Sequence, residues 1–305
     1  MSEASALPEI DTRLATFLVV LAAIGFGTVP FFAKELNAAG LPAHVIALSR
    51  YALTALVLLP FLRFRNGLWR ATLWGFATGM ALGLGWIGYV KALDHVPVST
   101  AGVLYMTYPI FTLAIAWVFF REAPGRRALI AALIILAAAM LAMSPSAVSP
   151  EQVPALLLSL TAPLAFGAGI NILTRLLIAL KPLSRMASVT LGSVIGLAPL
   201  MVGSDIQAVA QLVISNAWLI AGLALATALI PQLIYTINAP IIGSARTAIA
   251  GSIELPTMFV VGWLAFAEPA GIVQLIAGAM VIASIAITPP RAARGVTGTI
   301  SARRN

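Results

Sequence analysis

Pro97-Val98-Ser99-Thr100-Ala101-Gly102-Val103-Leu104-Tyr105-Met106-Thr107-Tyr108-Pro109, running on through apolar residues to Phe120-Arg121-Glu122, decides the fold. The stretch is too long and too apolar for an ordinary soluble helix. It carries a proline near its middle, two tyrosines three apart and a charged stop. A second copy runs from Gly243-Ser244-Ala245-Arg246 through Glu254-Leu255-Pro256 to Ala267-Glu268. A shift of 147 pairs Ala92 with Ala239, Ala101 with Ala248 and Pro109 with Pro256, and Glu122 and Glu268 then miss by one residue. Two like segments, each broken by proline at membrane depth, predict where a substrate is held.

Working outward, composition sets the class. Apolar residues make up 61% of the 305 and charged residues 9%, whereas a soluble domain carries about a quarter charged. The chain reads as an all-α integral membrane protein embedded in a lipid bilayer. The net charge of +8 does not point to nucleic acid, because the basic residues sit in short clusters between apolar runs. The absence of cysteine excludes disulfides, thiolate catalysis and cysteine-ligated metal. His44 and His95 are too few and too isolated for zinc, and no cofactor is expected. The first apolar run follows a short polar leader and is followed by another apolar run, so it reads as a membrane helix rather than a signal peptide.

The pattern predicts ten transmembrane helices, at 13–34, 42–62, 68–92, 98–120, 127–144, 153–178, 184–203, 215–239, 244–267 and 269–288. Gly40-Leu41-Pro42, Arg63 to Gly67, His95-Val96-Pro97, Pro124-Gly125, Lys181-Pro182 and Pro289-Pro290 separate them. Alternate loops carry Arg63, Arg65 and Arg70; Arg121, Arg126 and Arg127; Arg175, Lys181 and Arg185; and Arg246, while the opposite ends offer only Lys34 and Lys91. This asymmetry places both termini in the cytoplasm. Phe26-Gly27 matches Phe166-Gly167, and Pro42 and Ala47 match Pro182 and Ala187, at a shift of 140. The later pairs need 147, so about seven residues are inserted near the loop between the seventh and eighth spans. The chain divides into a first repeat at 13–144, a second at 153–288 and a basic tail at 289–305. An odd number of spans per repeat turns the second copy upside down, and inverted repeats are a transporter signature.

The Ala101 to Pro109 stretch with Phe120-Arg121-Glu122, and Ala245 to Pro256 with Glu268, resemble the EamA repeats of the drug/metabolite transporter superfamily. The resemblance covers roughly 13–288 and is greatest to bacterial exporters of the YddG type, which move aromatic amino acids. It implies a location in the bacterial inner membrane and a basket of ten helices around a central cavity. Spans 1, 3, 4, 6, 8 and 9 would line that cavity, with spans 5 and 10 apart, as a monomer or a homodimer.

Several residues are candidates for substrate contact. Arg50 lies well inside the second span, where a charge is costly unless it faces protein or water. It is either an internal structural partner or a clamp for a carboxylate. Glu254 lies mid-span beside Pro256 and either steadies the kink, takes up a proton or pairs with an ammonium. Ala101, Tyr105, Tyr108 and Thr112 share one stripe, and tyrosine hydroxyls at that depth need partners. Trp86 and Tyr89 belong either to an interfacial aromatic belt or, with that stripe, to an aromatic-walled cavity. Gln232, Tyr235 and Asn238 on the eighth span, and Gly167, Asn171 and Thr174 on the sixth, offer amides and hydroxyls for a cavity or for interhelical bonds. Gly75, Gly79 and Gly83 read as close helix packing. Lys34 and Lys91 read as snorkelling residues.

The reading that follows is a secondary carrier exporting small amphipathic metabolites, amino acids with aromatic or hydrophobic side chains, by alternating access. No Gly-rich Gly-Lys-Ser/Thr sequence indicates direct use of ATP. The alternatives are efflux of lipophilic cations, for which only Glu254 offers an intramembrane acid, and a membrane-embedded enzyme, for which the acids and histidines are too sparse.

Overall fold

The computed structural model describes residues 11–62, 67–93, 95–96, 98–142, 153–268 and 271–288. Pro97, the basic loop at Arg63 and Arg65 and the tail 289–305 lie outside the described residues. All regular structure among the described residues is helical. Eight stretches are long and apolar enough to cross a bilayer: Thr12–Ala38, Ala43–Phe61, Trp69–Leu93, Ala101–Phe120, Leu156–Arg175, Pro182–Met201, Ala217–Ile242 and Ser244–Phe266. They correspond to eight of the spans expected from sequence. The other two expected spans, 127–144 and 269–288, are shorter helices: α7 (Arg126–Ala142, 17 residues) and α16 (Ile272–Ala286, 15 residues), which pack against each other.

In chain order, α1 (Thr12–Gly27) and α2 (Val29–Ala38) form the first span. α3 is Ala43–Leu58 and α4 is Trp69–Leu93. α5 (Val98–Tyr105) and α6 (Tyr108–Phe120) precede α7. α8 (Val153–Ser159), α9 (Thr161–Arg175) and α10 (Pro182–Leu197) follow. α11 (Ile206–Ser215) is a ten-residue helix that the sequence reading did not foresee. It occupies the region assigned to inserted residues, and its start is set by Asp205, whose carboxylate accepts from the Gln207 and Ala208 N–H groups at 3.0 and 3.1 Å. α12 (Ala217–Ala224) passes through a π-helical turn, Leu225–Leu229, into α13 (Ile230–Ile242), and α14 (Ser244–Gly251) and α15 (Glu254–Phe266) precede α16.

The stretch quoted above and its later copy have the same local architecture. Each is an eight-residue helix, a break and a 13-residue helix. Pro109 and Pro256 have no N–H to give to the turn before them, so neither helix runs through. Arg121 (φ 53°) and Ala267 (φ 51°) then end α6 and α15 in the left-handed region. The following N–H groups, of Glu122 and Glu268, reach back to the Ala116 and Gly262 carbonyls at 3.0 Å each. Helix starts and ends correspond at 146 residues (98 to 244, 120 to 266), one fewer than the proline spacing. Both breaks are two residues long, so Glu254 begins its helix where Tyr108 begins its own, and Pro256 stands one position further into its helix than Pro109 does.

Polarity runs outward to grease, as a bilayer requires. Leu56, Phe119 and Leu264 are 69–75% exposed, while Glu254 is 0% and Arg50 5% exposed. Inside, α4 and α10 approach closely through small residues. Gly75 faces Ser188, Gly79 faces the Val189 carbonyl, Gly83 faces Leu197, and Ser193 donates to the Gly79 carbonyl at 2.8 Å. The glycine spacing is therefore a packing device.

Gly79→Ala places a methyl group against backbone and is expected to cost about 1–3 kcal/mol, seen as a lower melting temperature in detergent. Gly125→Ala, where an added Cβ meets nothing within 4 Å, is expected to melt like the parent. Equal melting of both variants would contradict the packing.

Candidate functional site

The site begins with two prolines on α13. A proline cannot donate to the carbonyl four residues back. For Pro231 that carbonyl is on Thr227, for Pro240 on Thr236. Both are taken by buried arginines from other helices. Arg50 of α3 donates through Nη2 to the Thr227 carbonyl at 2.9 Å. Arg185 of α10 donates through Nη1 to the Thr236 carbonyl at 3.2 Å. A charge inside a membrane protein needs such partners, because the unpaired ion is expensive at that depth.

The two guanidiniums are used differently. Arg185 also donates through Nε to the Leu180 carbonyl (2.8 Å) and through Nη2 to the Ile178 carbonyl (3.0 Å), so all three of its nitrogens are engaged. Arg50 has Nε and Nη1 buried without a hydrogen-bond partner. Its guanidinium carbon stands 4.5 Å from the centre of the Trp86 ring.

Both arginines line one cavity of about 60 Å³. Its wall is aromatic along one side. Ring centres run from Trp86 to Tyr105 (5.6 Å), Tyr105 to Phe166 (5.8 Å), Phe166 to Tyr235 (6.0 Å) and Tyr235 to Phe26 (5.5 Å). Thr78, Gln232 and Thr236 add polar groups, while Leu82, Ile170 and Leu173 close it with apolar surface. Such a mixture, mostly apolar with a few fixed polar groups, is what small-molecule sites look like.

Of the residues singled out from sequence, Arg50, Trp86, Tyr105, Gln232 and Tyr235 line this cavity, and Tyr89, Tyr108, Asn171 and Glu254 stand outside its wall. Trp86 and Tyr89 are 5% and 0% exposed, so they belong to the interior and not to an interfacial belt. Tyr89 packs behind Tyr105 at 5.5 Å and its hydroxyl meets Met258 Sδ at 3.8 Å. The Asn171 amide ties helices together, donating to the Thr112 and Gly167 carbonyls at 2.9 and 3.0 Å. Glu254 is wholly buried behind the wall, with neither carboxyl oxygen hydrogen-bonded. It lies within electrostatic range of Arg50 and of Tyr89, Tyr105, Tyr108 and Tyr235.

Two expectations are corrected. The expected lining by spans 1, 3, 4, 6, 8 and 9 gives way to spans 1, 2, 3, 4, 6, 7 and 8. The Thr227 and Thr236 carbonyls hold Arg50 and Arg185, and with them α3 and α10, at the centre. The ninth span instead packs α15 against α5. Arg185, read from sequence as a loop charge, is a buried member of α10. The signal for it was present: Pro240 leaves a carbonyl at depth that some donor must answer. Phe166, quoted only as the repeat partner of Phe26, shares a helical face with Ile170 and Leu173 and could have been found by that spacing.

Glu254→Gln keeps the shape and removes the titratable group. It is expected to leave the yield of folded protein near that of the parent and to depress transport severalfold. Parental transport in that variant would remove Glu254 from the site.

No curated protein matches the chain. Among solved structures 29 chains match. One of them, titled only "Crystal structure of protein", superposes with a TM-score of 0.70 over 90% of this chain and 95% of its own length at 15% identity, which shows a shared fold. Residues 13–144 match the EamA-like transporter family. The chain is thus a multi-pass membrane protein, helical in its regular structure among the described residues, whose residues 13–144 are similar to the EamA-like transporter family.

Proposed function

We propose that the protein is a secondary carrier that exports a small amphipathic metabolite, an amino acid with an aromatic or hydrophobic side chain, by alternating access across a bacterial inner membrane. In this reading the chain is two inverted five-helix repeats, with α7 and α16 as the fifth and tenth spans and both termini cytoplasmic. The matched breaks at Pro109 and Pro256 and the matched left-handed ends at Arg121 and Ala267 support the repeat. The match of residues 13–144 to a transporter family supports the carrier.

One observation carries the substrate class. Arg50 presents two unpartnered nitrogens beside a cavity walled by Trp86, Tyr105, Phe166 and Tyr235. A guanidinium fork matches a carboxylate, and the rings match a flat or apolar side chain. The described lining contains two arginines and no carboxylate, which disfavours a lipophilic cation as cargo. Glu254, behind the wall, is placed to take up a proton or to answer the substrate ammonium once rings move.

Hydrogen bonds to charged groups contribute about 1.5–3 kcal/mol, or roughly 10- to 100-fold in affinity. Calorimetric titration of the detergent-purified protein is expected to show binding of an aromatic amino acid and a rise in Kd of at least about tenfold in Arg50→Lys, with the variant still monodisperse. Tight binding of a lipophilic cation with none of the amino acid, or an unchanged Kd in the variant, would overturn the proposal.

A further inference from the structure

The two broken segments end in matching charged clusters. At one, Glu268 lies two residues past Phe266 and accepts from the Val98 N–H, the first of α5, at 2.7 Å. It pairs with Lys34 of α2 (Nζ–Oε1 3.6 Å), whose ammonium stands 4.4 Å from the Phe266 ring centre. At the other, Glu122 lies two residues past Phe120 and pairs with Arg175, the last residue of α9 (Nη2–Oε2 2.6 Å). The same guanidinium donates to Ser244 Oγ, the first residue of α14, at 2.9 Å and lies 4.8 Å from the Phe120 ring centre. Glutamate corresponds to glutamate, phenylalanine to phenylalanine, helix start to helix start and cation to cation.

The clusters sit at opposite ends of the molecule. Ser244 begins a 23-residue span that Phe266 ends, about 35 Å away along the helix. Val98 and Phe120 bracket the other broken segment in the same manner. Each segment therefore has one end in each cluster. Each cluster gathers three elements: α2, the start of α5 and the end of α15 in one; α9, the end of α6 and the start of α14 in the other. Backbone freedom lies between them at the breaks beside Tyr108 and Glu254, and beside one cluster at Gly243, whose φ of +79° precedes α14. The carboxylates and cations are partly buried, at 13–35% side-chain exposure, so water only partly screens them.

We infer that Lys34–Glu268–Val98 and Arg175–Glu122–Ser244 are the two alternating closures of the cavity, one at each membrane face. The inference rests on the carrier reading. Parting one cluster frees the helix ends at that face while the other cluster holds its own. The same two broken segments link them, so opening at one face and closing at the other are one motion.

The chain has no cysteine, so Thr78→Cys on the cavity wall reports access to a membrane-impermeant thiol reagent from either face of oriented vesicles. In that background Glu268→Gln is expected to speed labelling about fivefold from the face bearing Lys34, a population shift of about 1 kcal/mol, and to slow it from the opposite face. Glu122→Gln is expected to do the reverse. Lys34→Arg and Arg175→Lys, which keep the charge, are expected to give smaller shifts in the same senses and serve where a glutamine variant does not reach the membrane. Unchanged labelling, or changes in the same sense at both faces, would reduce the clusters to structural ties and overturn the inference. The labelling uses no substrate, so its failure is distinct from a failure of the amino-acid reading.

Discussion

A proline at membrane depth leaves a carbonyl without its donor, and in this protein the missing donor is an arginine from another helix. That exchange holds the centre together. Pro231 and Pro240 free acceptors at Thr227 and Thr236, and Arg50 and Arg185 take them. Neither partner is tolerable alone, since an orphan carbonyl and an unpaired guanidinium each cost several kcal/mol in hydrocarbon surroundings. Together they fix α3 and α10 against α13 and set the wall of the cavity. Arg185 spends all its nitrogens on this structural task. Arg50 spends one and keeps two beside the hollow, the two that the proposed carrier would offer to a carboxylate.

The aromatic wall and the broken helices follow from the same constraint. Backbone at membrane depth must have its polar groups satisfied, which a helix does internally, leaving side chains to face a cavity. Trp86, Tyr105, Phe166 and Tyr235 do so from four different helices in ring-to-ring contact. Where the helices do break, beside Tyr108 and Glu254, the break lies between the two charged clusters, eight helical residues from one and thirteen from the other. Glu254, a buried carboxyl group with no hydrogen bond, stands at the second break.

Much of this was legible in the residues. Hydrophobic length alone marked the eight long spans, because each runs for at least 18 residues, and proline with a trailing glutamate marked both broken segments. Arg50 was legible because a charge inside an apolar run demands an explanation. Arg185 was not, because it follows Lys181-Pro182 and looks like part of a basic loop until its three carbonyl partners are seen. The extra helix α11 escaped because it is short and lacks a strong breaker beyond Asp205. Glu122 and Glu268 were legible as matching stops. Their cations were not legible as partners, because Lys34 and Arg175 come from segments far away in sequence.

The central claim is that a solvated hollow with Arg50 at its wall accepts an amino acid and releases it on the other side. Counterflow into proteoliposomes, with a panel of labelled amino acids and lipophilic cations, tests this most directly. The account predicts saturable exchange of aromatic or hydrophobic amino acids and none of the cations. Saturable movement of cations with no amino acid exchanged would contradict it.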